Sequence, residues 1–344
     1  MKKTAFVALM LVLSLGFFYR SALSADFVIN FSGGAAGEAV KKFYIEPFEK
    51  ATGQKVYFVP GDLFAKVRAM VKSGNVEWDV AGTISLDEVL QGEEEGILEP
   101  LDYTIIDTRE ILKEAVHPYG IAKAFYSTIL AYNNEKYPGG KHPQSWKDFW
   151  DVGKFPGLRS LQNSPFNNLE FALMADGVPV DKLYPLDVDR AFRSLDRIKP
   201  HIKVWWTAGA QPAQLLLDKE IDFSSAWNGR IYALQKEGAK IGIEWNQGIV
   251  QFSCWIVPKG AKNKKLGMEF INFTHQAKLQ AAYAEYVGYP SVNIKAFELI
   301  RPEFAPNLPT YPDNYRKQAV VEYKWWFKNK GRVQELWDAW IMKK

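Results

Sequence analysis

From Phe27 onward, short runs of β-branched and aromatic residues alternate with stretches of helical length, and this alternation restricts the fold more than any other feature. Phe27-Val28-Ile29-Asn30-Phe31 reads as a strand and Ser32 to Gly37 as a loop. Residues 38–51 follow as a helix, stopped by Gly53. Lys55-Val56-Tyr57-Phe58-Val59 reads as the next strand, ended by Pro60-Gly61. Residues 63–73 form an amphipathic helix, and a third strand begins at Val80 after Trp78-Asp79. Strands and helices in this rhythm imply a largely parallel sheet covered by helices on both faces. Ligands on such sheets sit at the carboxyl ends of the strands. The loops 32–37 and 82–85 are therefore expected to line a site.

A second unit of the same kind follows. Ile129-Leu130-Ala131-Tyr132-Asn133 reads as a crossover strand, and Pro138-Gly139-Gly140 as a surface turn. Ser145 caps a short helix through Trp150, with Asp148 where a capping box places an acid. A strand near 159–161, a helix over 167–176 and a strand over 221–226 come next. After Trp255 the chain returns to the first unit through a helix over 265–273. In the tail, Val333, Leu336, Trp337 and Trp340 fall at helical spacing and mark a closing amphipathic helix.

The first residues read as an export signal. Lys2 and Lys3 precede an apolar run from Ala5 to Phe18, roughly 14 residues, and Ala22-Leu23-Ser24 places small residues for cleavage after Ser24. That run is short of the roughly 20 residues needed to span a bilayer. Loss of Lys2, Lys3 and Arg20 takes three charges from the formal +4 and leaves +1. This balance argues against a nucleic-acid partner, which requires a clustered basic face. With a single cysteine, Cys254, no intrachain disulfide is possible, so a large core must hold the fold. The 47% hydrophobic and 15% aromatic content supplies the material for one. His117, His142, His201 and His275 lie far apart, and no metal, nucleotide-loop or serine-hydrolase motif occurs. No cofactor and no resident metal are expected, which leaves a secreted hydrolase as the weaker alternative.

Several landmarks fall in a fixed order: Phe48-Glu49-Lys50-Ala51-Thr52-Gly53, Trp78-Asp79-Val80, Glu95-Gly96-Ile97-Leu98, Leu130-Ala131-Tyr132-Asn133 and Ser145-Trp146. They continue with Ala226-Trp227-Asn228-Gly229, Val257-Pro258-Lys259-Gly260-Ala261 and Gly288-Tyr289-Pro290. In this order the chain resembles the periplasmic solute-binding proteins of ABC importers, specifically the spermidine/putrescine-binding branch. The resemblance implies an α/β, two-lobe periplasmic-binding-protein fold with two hinge crossings. It also implies a monomer that closes on a small molecule and docks on an inner-membrane ABC permease. Lobe 1 is expected to comprise 25–130 plus 254–298, and lobe 2 to comprise 131–253 plus 299–344, after a signal peptide over 1–24.

Compared with that branch, the residues expected to neutralise amines are missing. Asn163, Ser164 and Asn167 stand where acids are expected, Ser253 replaces an aspartate, and Gln251 replaces an aromatic. Trp227 and Tyr289 keep the branch's aromatic positions. Ser32, Gly33 and Gly34 before a helix offer backbone N–H groups to an anion, and Arg230 offers a fork for a carboxylate. Thr83, Asn228 and the neutral amides and hydroxyls would add hydrogen bonds, while Tyr126, Phe166, Trp227 and Tyr289 would form walls. This set points to a small carboxylate or zwitterion, including an aromatic acid. A polyamine held by Asp62 or Glu170 is the alternative. Each residue also has a structural reading: tight-turn glycines, a surface ion pair for Arg230, and helix caps for Asn163, Ser164 and Asn167.

Overall fold

The computed structural model describes residues 26–61 and 64–343. The expected signal peptide, with its cleavage site, and Asp62 and Leu63 lie outside the described residues. The strands, in chain order, are β1 (Phe27–Phe31), β2 (Val56–Pro60), β3 (Val80–Ser85), β4 (Val116–His117) and β5 (Gly120–Asn133). They continue as β6 (Arg159–Gln162), β7 (Ile202–Trp206), β8 (Phe223–Trp227), β9 (Ile241–Ile256) and β10 (Ala319–Val320).

Their spatial order is β2-β1-β3-β9-β5-β8-β6-β7, with β4 beside β5 and β10 beside β9. The first three strands are mutually parallel, and so are the last three. The two sets are joined through β5 and β9, which run antiparallel along their length, from Ile121 opposite Trp255 to Asn133 opposite Ile241. One end of β9 pairs with β3 through Ser253, Cys254 and Ile256. The far end of β5 pairs with β8 through Thr128 to Tyr132. These long strands are thus the two crossings between an α/β lobe built on β1, β2 and β3 and another built on β6, β7 and β8. The ladder slips between Thr128 and Leu130, near where the second lobe takes over.

Local chemistry accounts for several boundaries. The first helix starts at Gly34, four residues earlier than the sequence reading placed it. It continues through a π-turn over Lys41–Ile45 to Thr52, where Gly53 ends it with φ 72°. The early start is set by Gly34 itself, whose φ of +66° turns the chain straight from strand into helix. The segment 82–85, read as a loop, is strand up to Ser85. The tail helix, Tyr323–Ile341, buries Trp326, Val333, Trp337 and Trp340, whereas Leu336 faces solvent at 40% exposure. Three indole N–H groups fix this helix to the second lobe, from Trp326 to Glu170, Trp337 to Asn163 and Trp340 to Asp196. Each of these bonds spares a buried donor the roughly 1–3 kcal/mol cost of going unpaired. Cys254 is buried, as expected for a small apolar side chain, and burial pushes its thiol far up. Among the described residues no helix is long and apolar enough to cross a membrane.

Candidate functional site

Four strands end on one cavity of about 260 Å³ between the lobes. β1 delivers Ser32, β3 delivers Thr83 and Ser85, β6 delivers Gln162, and β8 delivers Trp227. This is where the carboxyl ends of parallel strands are expected to place a ligand. The helices that begin there contribute their first turns: Asp87 and Glu88 after β3, and Arg230 after β8.

The walls are aromatic. Trp227 meets Tyr126 edge-on at 6.2 Å and Trp206 at 5.8 Å, and Tyr126 lies 5.9 Å from Tyr289. Phe166 and Trp326 form the other wall, 4.9 Å apart. Gly209 makes room for the first wall, because a Cβ there would come within 2.1 Å of Cζ3 of Trp227. Lys123 adds an ammonium 4.4 Å from the ring centre of Phe31 and 3.4 Å from the Tyr283 hydroxyl.

Arg230 carries the most telling chemistry. It is half-buried and lines the cavity. Nη2 donates to the Gly33 carbonyl at 3.2 Å, whereas Nε is buried without an acceptor. Among the described residues no carboxylate forms an ion pair with it. Arg230 thus brings to the cavity lining a guanidinium with an unused donor, a planar group able to pair with an oxyanion. The hydroxyl of Thr83, also at the cavity, is likewise buried and unpartnered.

The carboxylates in the lining are committed to another partner. Lys330, on the tail helix, reaches Asp87 at 2.7 Å and Glu88 at 3.6 Å. Burial opposes the Lys330 ammonium, but Glu88 and Asp87 together hold its pKa above the ordinary lysine value. Burial raises the Glu88 carboxyl despite that lysine. Glu170 lies behind the cavity wall, fully buried, with its Oε1 accepting from Tyr184 at 2.6 Å and from Trp326 at 2.8 Å.

Of the residues nominated from sequence, Ser32, Thr83, Tyr126, Ser164, Phe166, Trp227, Arg230, Ser253 and Tyr289 converge on this cavity. The other six do not line it. The Gly33 carbonyl holds Arg230, and Gly34 packs beneath it, where a Cβ would lie 2.7 Å from Nη1. The Asn163 side chain accepts from Trp337. Asn167, at φ 70°, donates to Thr128 Oγ1, as does Gln251. Asn228 is spent on backbone groups, accepting from the Ser127 N–H and donating to the Gly288 carbonyl. Sequence reasoning missed Lys123, Trp326, Lys330 and Gln334. The last three recur every four residues, which places them on one helical stripe, and this is the signal that could have found them.

Comparison with known proteins agrees with this architecture. The bacterial extracellular solute-binding protein profile matches residues 44–311. A gamma-aminobutyric acid-binding protein of Pseudomonas aeruginosa is 38% identical over 91% of this chain and 90% of its own. The spermidine/putrescine-binding periplasmic protein of Escherichia coli is 24% identical over 89% of this chain and 88% of its own. An ABC transporter substrate-binding protein from Bradyrhizobium japonicum superposes with a TM-score of 0.87 at 42% identity, covering 93% of this chain and all of the other. The binding protein AgtB of A. tumefaciens R10, in complex with agropinic acid, gives 0.86 at 36% identity, covering 93% and 99%. The chain therefore belongs to the bacterial extracellular solute-binding protein family.

Proposed function

We propose that this protein is the exported receptor of an ABC importer that captures a small organic acid or zwitterion, with Arg230 gripping its carboxylate. The carrying observation is Arg230 in the lining of an aromatic cavity, without a carboxylate partner among the described residues and with its Nε lacking an acceptor. Relatives that bind gamma-aminobutyric acid and agropinic acid are more similar to this chain than those that bind spermidine and putrescine, which supports the same reading. So does the commitment of Asp87 and Glu88 to Lys330.

In this reading Trp227 stacks on the ligand body, and Tyr126, Phe166 and Tyr289 enclose it. Ser32, Thr83, Ser164 and Ser253 provide neutral hydrogen bonds. Residues 25–130 with 254–298 form one lobe and 131–253 with 299–344 the other, and hinge motion about β5 and β9 closes them. The segment 1–24 directs export and is removed after Ser24. The mature monomer presents its closed face to the membrane permease and returns the solute chemically unchanged.

Thermal shift tests the ligand class, because a solute that binds only the folded state raises the melting temperature. Gamma-aminobutyric acid, agropinic acid, benzoate, spermidine and putrescine are the panel. An acid or zwitterion is expected to raise the melting temperature, and Arg230→Ala to abolish the rise. A rise with the polyamines alone, or an acid-induced rise unchanged in Arg230→Ala, refutes the assignment.

A further inference from the structure

Glu170 is a fully buried acid behind the cavity wall, and its surroundings are unusual for a carboxylate. It holds the wall in place through Oε1, which accepts from the Trp326 indole and the Tyr184 hydroxyl, while Oε2 has no partner. Trp326 in turn lines the cavity and packs against Phe166, four residues before Glu170. No cation forms an ion pair with this acid among the described residues.

The groups around it are few. From the segment before the helix Val188–Ile198 comes Tyr184, among the described residues the one titratable side chain that hydrogen-bonds to it. From the tail helix comes Trp326, while Lys330 is directed at Asp87. The short helix Trp146–Trp150 offers Trp146, stacked on the neighbouring Phe171. From the helix Val188–Ile198, Arg190 and Arg197 are spent on Asp176.

We propose that Glu170 is a positioning residue for the Trp326 wall, and that its ionisation sets how tightly the cavity holds an acidic solute. The second half rests on the reading of Arg230 given above. Burial raises the Glu170 carboxyl to about 7, partly offset by the Tyr184 and Trp326 bonds, so it titrates near neutrality. Below that pH a neutral carboxyl backs the wall. Above it a buried negative charge sits behind the ligand with no cation beside it. The charge strengthens both hydrogen bonds to Oε1 and repels an acid in the cavity. At an effective dielectric constant of about 20, like-charge repulsion of this kind is of the order that weakens an anion's binding by roughly tenfold.

Two measurements on the full mature chain test the two halves separately. In 15N-edited spectra of the ligand-free protein, the Trp326 indole resonance, assigned through Trp326→Phe, is expected to move between pH 6 and 8. Glu170→Gln keeps an acceptor for both donors but cannot ionise, so its indole resonance should stay put. Tyr184→Phe, which removes one donor from the carboxylate, should shift the midpoint upward. A wild-type resonance that does not titrate, or one that titrates equally in Glu170→Gln, overturns the proposal whatever the ligand. Binding of agropinic acid and benzoate by calorimetry should weaken roughly tenfold from pH 6 to 8 in wild type and remain level in Glu170→Gln. Parallel pH dependence in both proteins overturns the coupling to affinity. Failure of both acids to bind at any pH overturns the coupling to affinity, while the wider panel with Arg230→Ala decides the acidic-solute reading and the indole titration decides the positioning role.

Discussion

In the proposed lobe assignment, the ion pair between Lys330 and Asp87 joins a helix of the second lobe to the first turn of a helix packed on the first, so opening the cleft is expected to break it. Its contribution is measurable. Asp87 is 1% exposed and its Oδ1 has no partner, so in the closed form its charge depends on Lys330. Removing one member of a fully buried pair costs about 3–5 kcal/mol, because the other charge is left uncompensated. Lys330 is 39% exposed, so water screens part of this and the expected loss is about 1–3 kcal/mol. Opening the lobes rehydrates Asp87 and escapes the penalty, so the cost should appear as faster release. Stopped-flow fluorescence, with Trp227 and Trp326 as reporters at the cavity, measures it directly. Lys330→Met should raise the ligand dissociation rate by roughly 5- to 150-fold and leave association nearly unchanged. Asp87→Asn combined with Lys330→Met removes the fully buried charge together with its partner, leaves only the partly exposed Glu88 without the lysine, and should recover much of the loss. A dissociation rate unaltered in Lys330→Met, or a double variant as fast as the single one, refutes the reasoning.

Other substitutions probe the same site. Stability contributed by Glu170 is fully present below its unfolded pKa near 4.3 and is lost as pH rises through about 7, since the folded chain holds the proton more tightly. Urea unfolding should therefore show Glu170→Gln gaining on wild type by about 3 kcal/mol between pH 4 and 8; a constant difference between the two contradicts the buried-acid assignment. Gly209→Ala places a Cβ against the Trp227 ring, and overpacking of this kind costs about 1–3 kcal/mol. Calorimetry should show the loss as weaker binding, and undiminished affinity would exclude Trp227 as a wall. Gly34→Ala forces a Cβ at φ +66° and against Arg230, so acid binding should fall sharply while circular dichroism stays near wild type; full retention of binding argues against Arg230 as the anchor.

The sequence made the strand and helix order legible because that order is written locally, in apolar periodicity and in stops such as Gly53. It also nominated Trp227 and Arg230, which line the cavity because they sit where β8 becomes helix and thus at a strand's carboxyl end by construction. What it could not reveal is where an amide or a charge is spent. Asn228 and Gln251 carry the same hydrogen-bonding groups whether they face a solute or the backbone. Their actual partners, Gly288 and Thr128, lie 60 and 123 residues away. The Trp326, Lys330 and Gln334 stripe was hidden for a related reason. A tryptophan among core aromatics and a lysine on an amphipathic helix match any closing helix until the first lobe supplies Asp87. The same distance explains the acids: nothing local marks Asp87 or Glu88, which completes a capping box on Ser85, and Glu170, weighed from sequence as a polyamine anchor, carries no local sign of its partners. In the fold each is already claimed, by Lys330 or by Tyr184 and Trp326, and it is this prior commitment that leaves Arg230 in the cavity lining without a carboxylate partner among the described residues, which is what the proposed anion-binding role rests on.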